Sequence, residues 1–263
     1  MYNNIDFNRT YTFDEHYFDI IDTKDKAYWI GFLWGDGYVH SDGLTLSIST
    51  KDIKHLEKFK KCLNSKHPIK EYKNKNGYDS DSYCRIGIYS KYLSDILINK
   101  YGIKVGRTDF SKILNTIKKD YYKDVIRGLI DSDGCIHLVY KNGKIDTSIL
   151  SLIASDSVLS FFVLFLNNVL KEDIEYKRYK RHAGKDLNMY NINIQGNYRV
   201  FCNLFIIYND SNIYLDRKYD LYITLFNYIK NNIIICKETT GKGSDTVKRA
   251  KLKYIKFLSE CGI

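Results

Sequence analysis

Two aspartates occupy equivalent places in two related nonapeptides. Residues 29–37 read WIGFLWGDG and residues 126–134 read IRGLIDSDG, so Asp36 and Asp133 each stand before a final glycine. Both segments are predicted helices, and the C-terminal end of a helix disfavours an anion by roughly 0.3–1 kcal/mol. An acid placed there twice indicates a bound cation, and Mg²⁺ fits because it binds through one or two carboxylates plus phosphate oxygens and water. The predicted chemistry is therefore that of a Mg²⁺ ion held against a phosphate group.

Small residues form a stripe along each of these predicted helices. The stripe contains Gly31 and Gly35 in the first copy, and Gly128 and Ser132 in the second. Glycine in a helix interior costs about 1 kcal/mol relative to alanine, so we expect a second backbone to approach each stripe closely. The natural partner of each stripe is the other, and this packing would bring Asp36 and Asp133 together. The glycine after each aspartate is expected to adopt the left-handed conformation common at helix C-termini.

The elements that must position these acids follow the same order twice. After the first motif, residues 44–50 alternate apolar and polar side chains, which is typical of a half-buried strand. Each half is predicted to contain the motif helix, two strands, a helix, two strands and a helix. We therefore expect an α+β protein with a tandem αββαββα repeat. The predicted divisions are an N-terminal extension (1–22), a first half (23–116), a second half (117–236) and a basic C-terminal tail (237–263).

The composition limits the class of protein. The chain of 263 residues is 44% hydrophobic, ample for a core, and its formal net charge is +10. This charge indicates an anionic partner, although an indifferent basic surface has the same composition. The six cysteines form no CxxC pair and are interpreted as reduced thiols. With no signal peptide or long apolar run, we expect an intracellular protein that is neither secreted nor membrane-bound. Abundant Lys, Tyr, Asn and Ile favour a low-GC bacterium, a phage or an organelle.

The paired nonapeptides resemble the motif of the LAGLIDADG homing endonucleases in their single-chain, two-motif form. The second motif matches closely, whereas the first has Trp34 in place of the first aspartate. The resemblance implies two saddle-shaped antiparallel sheets, related by a pseudo-twofold axis and joined at two packed motif helices. It also implies a monomer that makes site-specific double-strand cuts with two or more Mg²⁺ ions, replaceable by Mn²⁺. Asp36 and Asp133 would hold the metal, with the carbonyls of Gly35 and Ser132 completing the sites.

The polar faces of the predicted strands are candidate DNA-reading surfaces, because the major groove admits β-ribbons. An alternating polar strand face is also what ordinary solvation produces, so the motifs decide between the two interpretations. The candidates are His40, Thr45, Ser47, Ser49, Arg85 and Tyr89 from the first half, and His137, Lys177, Tyr179, Arg181, Asn191, Asn193 and Gln195 from the second. Asn and Gln can bond adenine bidentately, and Arg can bond guanine.

Two lysines are candidate charge stabilisers in catalysis, Lys51 and Lys91. Their second-half counterparts by alignment are Asp156 and Asn197, which leaves open unequal sites and preferential nicking of one strand. Two other functions compete with cleavage. The chain could be a maturase that binds intron RNA, or a non-cutting DNA-binding regulator built on the same scaffold. Retention of both motif aspartates favours the endonuclease.

Overall fold

The computed structural model describes residues 10–73, 82–107, 109–170, 174–178 and 189–238, together with residues 256, 257, 259 and 260. The first half contains α1 (Lys24–Asp36), β1 (Gly37–His40), β2 (Gly43–Ser49), α2 (Ile53–Cys62), β3 (Lys70–Tyr72), β4 (Tyr83–Tyr89), α3 (Lys91–Asp95) and α4 (Ser111–Thr116). The second contains α5 (Tyr122–Asp133), β5 (Gly134–Lys141), β6 (Lys144–Ser155), α6 (Asp156–Leu170), β7 (Lys177–Arg178), β8 (Met189–Gln195) and α7 (Asn197–Tyr208). A long helix, α8 (Asp216–Glu238), follows.

The strands form two four-stranded antiparallel sheets with the same topology. Their orders are β1-β2-β4-β3 and β5-β6-β8-β7. The register matches as well, since the motif glycines Gly37 and Gly134 lie opposite Leu46 and Leu152. The predicted α+β class and the tandem αββαββα order are therefore confirmed.

Each sheet has one apolar and one polar face, as its sequence alternation predicts. In β2, Leu44, Leu46 and Ile48 are buried, whereas the side chains between them are only half-buried. In β4, Cys84 and Ile86 repeat the pattern. The apolar faces pack on helices and join one core that runs through both halves, which leaves the polar face of each sheet open.

The two motif helices, α1 and α5, pack against each other along the small-residue stripes. A Cβ added to Gly31 would lie 2.0 Å from the Val125 carbonyl oxygen, and one added to Gly128 would lie 2.1 Å from the Tyr28 carbonyl oxygen. Both distances are far shorter than a van der Waals contact, so only glycine fits at these crossing points. The predicted close approach of two backbones is confirmed. Because α1 has partners on nearly all sides, its eight consecutive residues Ala27–Trp34 are all buried, as expected of a helix segment that is apolar all round.

The conformation predicted for the motif glycines is wrong. Gly37 has φ −74° and ψ 132°, and Gly134 has φ −74° and ψ 157°, which are extended values. The chain passes directly from helix into strand, with no left-handed residue between them. Glycine is needed there for space: a Cβ on Gly37 would lie 2.6 Å from the Leu33 carbonyl oxygen, and one on Gly134 would lie 2.7 Å from the Ile130 carbonyl oxygen.

The segment before α1 packs against the first half of the chain. Phe18 is fully buried, and its carbonyl accepts a hydrogen bond of 2.8 Å from the Tyr101 hydroxyl. The Asp14 amide donates to the Leu63 carbonyl at 2.8 Å. The predicted basic tail lies almost wholly outside the described residues. No helix in the described part of the chain has both the length and the apolar character needed to cross a membrane.

Candidate active site

Asp36 and Asp133 meet where the two motif helices end. A Cβ on Gly35 would lie only 2.8 Å from the Asp133 Oδ2 atom, which shows how closely the second acid approaches the first helix. Burial, and next the negative charge of Asp133, raise the pKa of Asp36 to about 6. Burial also raises the pKa of Asp133, although this residue keeps an exposed surface. Two carboxylates are thus held together in a partly desolvated groove.

Without metal, the protein should gain stability as the pH falls from 7.5 to 5. Because the pKa of Asp36 is about 6 when folded, above its ordinary 3.8, the folded state binds this proton more tightly. The free energy of unfolding therefore rises as the pH falls through 6, and the gain is complete below the unfolded pKa. We expect a gain of about 1–2 kcal/mol from this residue, below the roughly 3 kcal/mol of a two-unit shift because the groove is partly solvated. Urea denaturation in EDTA at both pH values measures it.

Asp36→Asn is the matched variant for this measurement, because it removes the titrating group and keeps the shape. The difference between wild type and variant isolates the contribution of Asp36 from that of other titrating residues. Equal pH dependence in the two proteins would show that Asp36 ionises normally.

A cation holds the C-terminal end of each motif helix. Arg107 donates to the carbonyls of Leu33 at 3.2 Å and Gly35 at 2.7 Å, and also to that of Trp34. The Leu33 carbonyl also accepts from the Gly37 amide, whereas the last carbonyls of a helix have no partner inside it. The cation offsets the partial negative charge of this helix end.

Lys218, the other cation, is only 3% exposed. Its Nζ atom donates at 2.6 Å to the carbonyls of Ile130 and Gly134, and at 2.8 Å to that of Asp131. Burial lowers the pKa of Lys218 to about 8. Sequence reasoning missed both cations, because their partners are backbone carbonyls of a helix far away in the chain. Lys218 lies in the segment YLDRKY (214–219), which contains no local signal for these contacts.

The structure places the two predicted catalytic lysines at opposite ends of the first sheet. Lys91 follows the end of β4 where Tyr89 lies opposite Gly43. The motif glycine Gly37 lies opposite Leu46, which is three residues along β2 from Gly43. The start of α3 is therefore at least three strand residues, about 10 Å, away from Gly37. Lys51 lies nearer, in the short turn of helix after β2, but it is exposed to solvent.

The predicted DNA-reading residues share the open faces of the two sheets. In the second sheet His137, Asn193 and Gln195 are exposed, and Lys177 lies opposite the half-buried Asn191 on the outer strands. In the first sheet Thr45, Ser47, Ser49, Arg85, His40 and Tyr89 lie on one face. Tyr179 and Arg181 lie outside the described residues. Tyr38 is also exposed on this face, although it was not among the predicted residues.

Arg85 is the most firmly held side chain on the open face of the first sheet. Its Nε atom donates to the Ser47 hydroxyl at 2.9 Å. Its Cζ atom lies 5.3 Å from the centre of the Tyr72 ring and 5.4 Å from that of the Tyr83 ring, and these two rings stack at 5.0 Å. The guanidinium group is therefore oriented before any ligand binds.

A cavity of about 400 Å³ lies beside Asp36, between the two halves. It is lined by Phe32, Asp36, Ser47, Ile48, Ser49, Asp52, Tyr83, Asp131, Ser132, Leu215 and Arg217. It therefore connects the open face of the first sheet with the ends of both motif helices.

Asp131, the first aspartate of the second motif, has a structural role. It is buried and accepts hydrogen bonds from the hydroxyls of Tyr28 (2.8 Å) and Tyr208 (2.5 Å) and from the Leu215 amide (2.7 Å). Trp34, in the equivalent place of the first motif, packs edge-on against Phe110. The departure of the first motif from the family pattern therefore leaves the acid pair intact.

The donor set around the acid pair fits Mg²⁺. Both groups are hard oxygen ligands held together, and neither is part of an ion pair with another described residue. The Gly35 carbonyl already accepts from Arg107, but a carbonyl oxygen has a second lone pair. No described group of three or more acidic, histidine or cysteine side chains is arranged to hold a metal. An ion at this site would therefore need phosphate oxygens and water as further ligands.

Comparison with solved structures identifies the fold. The LAGLIDADG homing endonuclease I-GzeII in complex with its DNA target aligns with a TM-score of 0.50 and 11% identity, over 86% of this chain and 96% of that one. I-SmaMI bound to cleaved DNA aligns with a TM-score of 0.51 and 11% identity, over 83% and 91%. I-SmaMI bound to uncleavable DNA with a TTGT central four aligns with a TM-score of 0.51 and 13% identity, over 81% and 90%. No protein-family model and no curated protein sequence matches the chain.

Proposed function

We propose that this chain, which has the fold of the single-chain LAGLIDADG homing endonucleases, is a metal-dependent endonuclease that cuts both strands of DNA at a specific site. The observation that carries the proposal is the pair of carboxylates, Asp36 and Asp133, held together at the ends of two helices. This arrangement raises the free energy of the folded protein when no cation is present. Selection for stability alone would remove it, whereas a divalent ion bound with phosphate makes it favourable.

DNA as the substrate is supported by three features together. The chain has a formal net charge of +10, the open polar face of the first sheet borders the cavity of Asp36, and the solved structures of similar fold named above are complexes with DNA. A polar β-sheet fits the major groove, so each half would read one side of the target.

The protein's own residues have distinct parts in this reaction. Asp36 and Asp133 would hold Mg²⁺, which supplies an activated water and stabilises charge on the scissile phosphate. Arg107 and Lys218 fix the ends of α1 and α5, and their charges favour the ionised form of the acids. The contact between the two backbones at Gly31 and Gly128 sets the spacing of the acids.

The test has two stages, because the target sequence is unknown. Rounds of selection from a random double-stranded DNA library, in EDTA, would first enrich the bound sequence. A supercoiled plasmid that carries this sequence would then be incubated with the protein and Mg²⁺. We expect linear plasmid with Mg²⁺ and none with EDTA. Specific binding without cutting would favour the DNA-binding regulator, and enrichment of RNA but not DNA in a parallel selection would favour the maturase.

Arg85 should specify a guanine in the selected sequence. Its guanidinium is fixed by Ser47, Tyr72 and Tyr83, with its terminal amino groups left for the bidentate bond that Arg forms with guanine O6 and N7. When the selection is repeated with the Arg85→Ala variant, the preference for guanine at one position, worth about 1–3 kcal/mol, should be lost. The base preferences at the other positions should remain.

Lys70, opposite Arg85 in the neighbouring strand, provides the control for this selection. Lys70→Ala should weaken binding without changing any base preference. An unchanged preference in Arg85→Ala would assign this residue to the phosphate backbone.

A further inference from the structure

The two halves differ in one cation beside the acid pair. Arg107 and Lys218 are equivalent, because each caps the motif helix of its own half. The residue before Lys218 is Arg217, whereas the residue before Arg107 is Gly106, where an added Cβ would meet nothing within 4 Å. The first half therefore has no counterpart of Arg217.

The partner of Arg217 is also specific to one side of the molecule. Its Nε atom lies 2.8 Å from the Asp52 Oδ2 atom, and the side chains of Arg217 and Asp52 are 55% and 8% exposed. Leu46 and Leu152 occupy equivalent places opposite the motif glycines. This register shifts the sequence alignment after β2 by one residue, so that Lys51 corresponds to Ser157 rather than Asp156, and Asp52 corresponds to Val158, an apolar core residue. At the symmetry-related place beside Asp133, Gly106 and Val158 therefore replace Arg217 and Asp52, and no equivalent pair forms there.

Arg217 crosses from α8, in the second half, to the cavity that contains Asp36. Both residues line this cavity together with Ser47, Ser49 and Ser132. Asp52 holds only the Nε edge of the guanidinium. The terminal amino groups make no hydrogen bond with any other described residue, and more than half of the side chain faces solvent. An oriented guanidinium with a free edge is the group that binds phosphate in a bidentate manner.

We propose that Arg217 binds a backbone phosphate of the DNA strand that enters the cavity of Asp36, and thereby makes the two cutting centres unequal. This inference rests on the proposed endonuclease function. The strand held by Arg217 is positioned more firmly and is cut first, so that a nicked molecule accumulates. Arg217 is a positioning residue in this proposal, and the competing explanation is a brace in which it only ties the two halves together.

Strand-resolved cleavage at the selected site tests the proposal. A linear duplex that carries the site, with a different end label on each strand, gives the rate of cutting for each strand, and the supercoiled plasmid shows whether the nicked form accumulates. In wild type we expect one strand to be cut first and nicked plasmid to accumulate. In Arg217→Gln the rate for that strand should fall about 10- to 100-fold, with the other changed by less than about 3-fold. Arg217→Lys should recover part of the rate, because Lys binds phosphate as a point charge.

Lys58→Gln is the matched control for a brace. Lys58 pairs with Asp216, so it joins the same two halves next to Arg217, but it does not line the cavity. The Lys58→Gln variant should therefore leave the strand preference unchanged. Equal slowing of both strands in the Arg217→Gln and Lys58→Gln variants, with a lowered melting temperature, would overturn the proposal and support the brace. Equal cutting of both strands by wild type would also overturn it while leaving the endonuclease function standing; no cutting at all would overturn both.

Discussion

Replacing either motif aspartate by asparagine should abolish DNA cleavage and leave DNA binding intact. Asparagine keeps the shape of Asp36 or Asp133 but removes the anionic ligand that a divalent ion needs, so the cutting rate should fall by at least about 10³-fold in each variant. The affinity for DNA should stay the same or rise slightly, because each substitution removes a negative charge near the phosphates. Plasmid linearisation with Mg²⁺ and a binding titration in EDTA measure the two effects.

The pattern of effects separates this explanation from general damage. Asp42 lies in the exposed turn of the first hairpin, so Asp42→Asn should cut at the wild-type rate. Asp36→Asn should also melt at or above the wild-type temperature in EDTA, because it relieves the repulsion between two acids. Full cutting activity in either motif variant would remove that aspartate from the reaction.

Placing a methyl group between the motif helices should have the largest effect on stability. In Gly31→Ala the new Cβ would lie 2.0 Å from the Val125 carbonyl oxygen, and in Gly128→Ala it would lie 2.1 Å from that of Tyr28. The obstacle in both cases is backbone, which cannot rotate away as a side chain can. We expect a loss of at least about 3–4 kcal/mol in the free energy of unfolding, measured by urea denaturation.

Gly87→Ala provides a matched control for the helix interface. Gly87 lies in β4, and its nearest contact would be the Thr45 Oγ1 atom at 3.9 Å. Its stability should change by less than about 1 kcal/mol, because the backbone is extended and the space is open. If Gly31→Ala proved as stable as Gly87→Ala, the helices would be farther apart than described here, and the acid pair with them.

Local signals explain what the sequence predicted correctly. The alternation from Leu44 to Ile48 shows which face of a strand is buried, because side chains of a strand alternate between its faces. The stripe of Gly31 and Gly35 indicates a backbone contact, because an isolated helix has no use for glycine. The same stripe at Gly128 indicates that the partner is the second motif helix. These features need only neighbouring residues and one internal repeat.

Features that depend on distant backbone were missed. The left-handed conformation expected at Gly37 rested on the usual behaviour of helix ends, but the following strand keeps the chain extended and glycine serves to clear a carbonyl. Lys91 directly follows β4, and the antiparallel register places that end of β4 away from the motif glycine Gly37. Nothing local distinguishes Arg107 or Lys218 from the other cations of the chain, because their partners are carbonyls of a helix that lies far away in the sequence.

The carboxylate of Asp131 accepts hydrogen bonds from the Tyr28 hydroxyl in the first half and from Tyr208 and the Leu215 amide in the second. A first half taken from another protein would therefore have to bring a hydroxyl to the place of Tyr28, or the buried carboxylate would lose one of these three hydrogen bonds, at a cost of about 1.5–3 kcal/mol for a bond to a charged group. Chimaeras made by exchanging whole halves should thus succeed or fail according to the donor at position 28, whatever target each parent recognises.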